Sequence, residues 1–196
     1  MEIISVNVAR VGALFTPAAP GGHQVATAIH KQAVSGPVAV GRLGLEGDAQ
    51  ADRRLHGGPG KAVYAYALEH YAFWQEQRRL AGKGDAPLAH GALGENLTVQ
   101  GLLEDACWIG DRLALGTALL EVSEVRTPCF KLNVKMGLPH AARLMDQSGY
   151  TGFYLRVLQP GTIAAGDMAT VQPGPRTLSI AQINAGRRTA RQPDLF

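Results

Sequence analysis

Short strand-like runs, separated by glycine-containing turns, succeed one another along this chain and leave little room for long helices. Residues 2–8, 25–29 and 38–40 are followed by 62–67, where Val63 and two tyrosines alternate with alanines as in a strand buried on both faces. Residues 96–99, 112–115, 119–125, 153–158 and 168–171 continue the series. The 24 glycines and 11 prolines supply the turns that so many strands need. Two stretches break the pattern. Residues 68–80 place Leu68, Tyr71 and Trp74 on one helical face, and 139–147 predict a short helix stopped at Ser148-Gly149. The expected architecture is mainly β, a barrel with a few peripheral helices.

A chain of 196 residues suits one domain with a full core. That domain is expected to span residues 1–175, ending at Gln172-Pro173-Gly174-Pro175. Residues 176–196 read as a short C-terminal helix near 178–185 and a flexible tail from 186 onward. A net charge of +3, with no long basic run outside the tail, gives no footing for nucleic acid. No run approaches the ~18 apolar residues of a membrane helix. The start of the chain lacks the basic residues and apolar run of a secretory signal, so no membrane is expected and the cytoplasm is the expected location.

The 2 cysteines, Cys107 and Cys129, are too few for a four-thiolate zinc or iron–sulfur site. Cys129 follows Arg126-Thr127-Pro128, and Phe130-Lys131-Leu132 opens a helical turn. With Pro128 at the first helical position, Cys129 feels helix-terminal N–H groups and two nearby cations, which favour a metal-binding thiolate. A small buried hydrophobe is the competing reading, and for Cys107, between Ala106 and Trp108, it is the preferred one. His56-Gly57-Gly58-Pro59-Gly60-Lys61 reads either as an anion-binding nest of backbone amides or as a tight turn. It is not a Walker motif, because residue 55 is Leu and residue 62 is Ala. No flavin or nicotinamide fingerprint is present. Gly94-Glu95-Asn96-Leu97-Thr98 offers short polar side chains at a strand start. Lys31, Arg126 and Arg156 stand in apolar strand contexts, where a cation either faces solvent or needs a partner such as a phosphate.

Taken in order, several of these segments resemble the MOSC family, named for the molybdenum cofactor sulfurase C-terminal domain. They are Gly44-Leu45-Glu46-Gly47-Asp48, His56-Gly57-Gly58 with Ala62-Val63, Gly94-Glu95-Asn96-Leu97-Thr98, Ile109-Gly110-Asp111, Arg126-Thr127-Pro128-Cys129 and Gly152-Phe153-Tyr154-Leu155-Arg156. They cover most of residues 27–168 and are most similar to the bacterial branch linked to 6-N-hydroxylaminopurine resistance. The resemblance implies a MOSC-type β-barrel that binds a molybdopterin-type molybdenum cofactor, with Cys129 as the metal ligand. A soft thiolate suits a metal already held by the pterin's sulfurs. Lys31, His56, Gly57, Gly58, Asn96, Thr98, Arg126 and Arg156 are the candidates for holding the cofactor. The implied activity is reduction of N-hydroxylated compounds, such as N-hydroxylated purine bases, to amines. Cys129 and His56 are the catalytic candidates, His56 as a proton shuttle because imidazole titrates near neutrality. The chain carries no second redox centre, so an external electron-donor protein is required. The resemblance equally permits a non-catalytic carrier of the cofactor or of sulfur. The family's bacterial branch often ends in a three-helix bundle, whereas about one helix's worth of sequence follows Pro175 here.

The tail, Gln192-Pro193-Asp194-Leu195-Phe196, resembles the pentapeptide that binds the bacterial sliding clamp. It adds clamp binding to the expected partners, and with it a third function class, an interaction module in which the barrel is a scaffold.

Overall fold

The alternation of tyrosine with small residues at 63–67 builds the strand on which two cores meet. The computed structural model describes residues 1–16, 23–52 and 56–191. In chain order its elements are β1 (Glu2–Val8), β2 (Gly12–Thr16), β3 (His23–Thr27), β4 (Gln32–Val34), β5 (Val38–Gly41), β6 (Gly44–Leu45), β7 (Val63–Ala67), α1 (Tyr71–Leu80), β8 (Leu97–Gln100), β9 (Arg112–Leu115), β10 (Ala118–Val125), α2 (Phe130–Met136), α3 (Ala141–Ser148), β11 (Phe153–Gln159), β12 (Gly161–Ile163), β13 (Thr170–Gln172) and α4 (Ile180–Arg191). Every residue of β7 is buried. Val63 and Ala65 point into one core, with Val6, Leu97, Leu113, Leu120 and Leu155 among its members. Tyr64 and Tyr66 point the other way, into a second core with Trp74, Leu132 and Met145 from the helices. Period-two alternation thus serves both faces of the same strand.

The main sheet has eight strands in the order β13-β9-β10-β11-β7-β8-β1-β4. It curls back on itself. The Ile3 N–H donates to the Asp167 carbonyl at 2.9 Å, and the Ala169 N–H donates to the Met1 carbonyl at 2.7 Å, so β1 meets the segment leading into β13. β7 and β8 pair in parallel, which requires a crossover, and α1 lies in it. The mainly β fold with peripheral helices is therefore as expected. β2, β4, β6 and β12 went unread because they have two to five residues each, too few for a period to show. The strand expected at 25–29 ends at Thr27, since the chain turns there toward a cavity lined by Ala28 and Ile29.

The C-terminal segment differs from expectation. Ile180 is fully buried in the barrel core, and its N–H donates to the Cys107 carbonyl at 2.9 Å. The helix then continues to Arg191, so residues 186–191, expected in a flexible tail, are helical. Asn184 holds it down by donating to the Gly149 carbonyl at 3.0 Å and to the Thr151 hydroxyl at 2.9 Å. The tail pentapeptide Gln192 to Phe196 lies outside the described residues. Among the described residues, no helix is long and apolar enough to cross a membrane.

The approach of β11 to β7 depends on Gly152. Its φ is +65°, and a Cβ there would stand 2.3 Å from the Ala65 carbonyl oxygen. Gly152→Ala is expected to destabilise the fold by roughly 1–3 kcal/mol or more, read as a lowered urea midpoint with an unchanged m-value.

Candidate functional site

The first helical turn of α2 decides where the reactive sulfur sits. Pro128 cannot extend the ladder of β10, and the chain leaves the sheet there. Cys129 follows with extended backbone, φ −135° and ψ 173°, as the N-cap of α2. This corrects the sequence expectation, which put Pro128 at the first helical position. It is Phe130 that occupies it, and Cys129 stands at the cap, where Ser or Asp usually accepts an amide hydrogen bond. The sulfur makes no conventional cap bond, yet the Lys131 N–H still acts on it. Burial pushes the thiol pKa up. The hydrogen bond from His56, the Lys131 amide, and the charges of His56 and Arg126 together outweigh burial and bring it below the usual thiol value. Cys107 is fully buried, and burial, with Asp111 and Glu104 nearby, pushes its thiol far up. Cys107 is thus a packed residue, and Cys129 is the cysteine whose surroundings favour the thiolate.

Arg126 is the second determinant. It is buried, and its Nη1 donates to the Leu93 carbonyl at 2.7 Å. Its guanidinium lies 4.4 Å from the Tyr64 ring centre. Burial works against its charge, but Tyr64, Tyr154 and Cys129 favour it, and the guanidinium stays protonated. Among the described residues no carboxylate forms an ion pair with it. Lys31 is different, since it pairs directly with Asp48. Burial lowers the Lys31 pKa, and Asp48 and Glu95 resist that change. Lys135, on α2, donates to the carbonyls of Ile29 at 2.7 Å and Gly91 at 2.8 Å. Burial pushes it down to about 8, helped by Lys31 and Arg126 and opposed by Glu95.

Lys31, His56, Asn96, Arg126 and Cys129, all named from the sequence, line one cavity of about 100 Å³. It adjoins an open groove along residues 41–50, with Asp48, Ala49 and Gln50 as the shared wall. The other candidates do not line it. Thr98 is buried beneath, accepting from Asn7 at 3.1 Å and donating to Glu95 at 2.9 Å. The Gly58 amide is already taken, donating to Gln50 Oε1 at 2.8 Å, and Gly57 packs against the same side chain. The nest expected at His56-Gly57-Gly58 is thus filled by the protein itself. Arg156 faces outward, half-exposed, and pairs with Glu121 at 3.2 Å. Asn96 reaches the cavity, but its amide also works as a brace: it donates to Asp48 at 2.8 Å and to the Asn7 carbonyl at 3.2 Å, and accepts from the Tyr64 N–H at 3.1 Å.

Sequence reading missed Gln50, Tyr64 and Tyr154 in the lining, and Asp48 as the partner of Lys31. It also missed Lys135, because α2 was legible only as its first turn. Among the described residues, no three His, Cys, Asp or Glu side chains converge as a bare-ion site. A lone thiolate of this kind suits a metal that arrives with most of its ligands.

The model of the MOSC domain matches residues 52–170, which hold the cavity-lining His56, Asn96, Arg126 and Cys129. The chain belongs to the MOSC-domain family. It is 41% identical over 164 residues to the uncharacterized protein YflK of Bacillus subtilis, covering 83% of this chain and 72% of that protein. It is 38% identical over 156 residues to a protein of Gibberella moniliformis named reductase, covering 79% of this chain but 27% of that protein. The crystal structure of YiiM from Geobacillus stearothermophilus superposes with a TM-score of 0.76 at 36% identity, over 98% of this chain and 86% of that one. This MOSC domain is therefore similar in fold to the Geobacillus YiiM over nearly its full length, and it spans about a quarter of the fungal protein.

Iodoacetamide at neutral pH is expected to modify Cys129 and spare Cys107 in the native protein, which peptide mass mapping reads directly. Alkylation of Cys129 should accelerate as pH rises through its lowered pKa. In His56→Ala the loss of the hydrogen bond and charge should move that inflection to higher pH, and an unmoved profile would remove His56 from the site.

Proposed function

We propose that this MOSC domain binds a molybdopterin-type cofactor at the Cys129 cavity and reduces N-hydroxylated compounds to amines. The observation that carries the reading is the pairing of a thiolate-favouring Cys129 with Arg126, a buried cation that forms no ion pair with a carboxylate among the described residues. A buried charge of this kind calls for an anionic partner, and a thiolate beside it calls for a soft metal or an electrophile. The donor set fits a metal with an anionic organic ligand. Cys129 would hold the metal, and Arg126 with the Lys31–Asp48 pair would face the anionic part. The groove beyond Gln50 supplies room that the enclosed 100 Å³ does not.

When bound, the cofactor supplies a two-electron reductant able to accept an oxygen atom. The net change is loss of the N–O bond: the hydroxylamine takes up two electrons and two protons and leaves as amine and water. His56, hydrogen-bonded to Cys129, would deliver a proton at the cavity wall. Tyr154, kept neutral by burial despite Arg126, adds a hydroxyl donor to the lining. The electrons come from an external donor protein. The family assignment and the relative named reductase support this reading.

Protein purified from a cofactor-competent host is expected to carry molybdenum and pterin in comparable amounts. Cys129→Ala should lose the metal, and Arg126→Leu should retain less of both. Turnover of 6-hydroxylaminopurine with a chemically reduced donor is expected from the loaded wild type. Wild-type protein without metal and pterin would sink the reading, and loaded protein without turnover would leave a carrier.

A further inference from the structure

Among the described residues, Glu95 is the one fully buried carboxylate beside the cavity, at 0% exposure, and it has no direct ion-pair partner there. Instead it accepts four hydrogen bonds. The Tyr71 hydroxyl donates to it, as do the Gly91 N–H at 2.8 Å, the Leu93 N–H at 3.0 Å and the Thr98 hydroxyl at 2.9 Å. Two of those donors belong to the short loop at 91–94, which precedes Glu95 and carries positive φ at Gly91 and Gly94. The opposite side of the same loop faces the cations. The Leu93 carbonyl accepts from Arg126 at 2.7 Å, and the Gly91 carbonyl accepts from Lys135 at 2.8 Å. Gly91 and Leu93 are therefore each pinned twice, at the N–H by the Glu95 carboxylate and at the C=O by a cation.

We propose that Glu95 is a positioning residue: by holding the Gly91 and Leu93 N–H groups, it turns the carbonyls of Leu93 and Gly91 toward Arg126 and Lys135 and fixes the cationic side of the Cys129 cavity. The hydrogen bonds of Glu95 go to Tyr71, Gly91, Leu93 and Thr98 and not to Cys129, so it acts through the loop. The use of that cationic side for an anionic cofactor rests on the function proposed above, whereas the positioning itself rests on hydrogen bonds within the chain.

Charge and position predict opposite results, which makes the proposal testable. If Glu95 acted only by its negative charge, removing it would favour the Cys129 thiolate and speed its alkylation. If it positions Arg126, loosening the loop weakens the guanidinium's hold on the thiolate and slows alkylation. The expected result for Glu95→Gln is Cys129 alkylation by iodoacetamide at neutral pH slower by about threefold to tenfold, the effect of half to one unit in thiol pKa. Glu95→Asp keeps the charge but draws the carboxylate back by one methylene, and it is expected to slow the reaction as well. Should the Gln variant fail to fold, the Asp variant carries the test. Cys107 serves as the internal control and should stay unreactive in both. Faster or unchanged Cys129 alkylation in Glu95→Gln, a wild-type rate in Glu95→Asp, or simultaneous exposure of Cys107 would each overturn the proposal. These measurements need no bound metal. Molybdenum content of the wild type, measured separately, can fail without touching them.

Discussion

A buried arginine that pairs with no carboxylate among the described residues organises this cavity. Desolvating a guanidinium is costly, and a protein normally offsets the cost with an acidic partner. Arg126 has instead a carbonyl, a tyrosine ring and hydroxyl, and the Cys129 sulfur. The arrangement keeps the charge and sets it beside a thiolate-favouring cysteine. The surrounding braces follow from that need. Glu95 holds the loop that holds Arg126, and Asn96 holds the aspartate that neutralises Lys31.

The fold supplies the rigid frame for this potential. β7 places Tyr64 under Arg126 and sends Val63 and Ala65 into the barrel, so one strand couples the main core to the site. The second core of tyrosines, Trp74 and helical apolar residues then fixes α2, and with it the cap position of Cys129. Packed aromatic surface of this kind is stiff, which suits a site whose reactivity depends on the distance between a sulfur and a fixed charge.

Particular residues show how far the sequence could be read. β1 and β9 have the bounds that alternation predicts, and α3 ends at a left-handed glycine as Ser148-Gly149 predicts. Cys129, His56, Asn96 and Arg126 were legible because each belongs to an ordered set of short motifs, and Lys31 because it is a lone cation in an apolar stretch. Gly58 and Arg156 were misplaced for one reason. A motif names a residue but not its partner, and Gln50 and Glu121 had claimed these two.

What the sequence alone determined is the strand-rich architecture and the family, and it marked Cys129 rather than Cys107 as the candidate for chemistry. Those properties are written in alternation, turn residues and local neighbours. Only the tertiary structure decided which polar groups remain available. Glu95, Lys135, Gln50 and Asp48 come to the site from segments dozens of residues apart, and whether a cation is neutralised, braced or left open depends on contacts across that distance. Local sequence carries no signal for such pairings, because burial and hydrogen-bond partners are fixed only when the sheet curls and the helices dock on it.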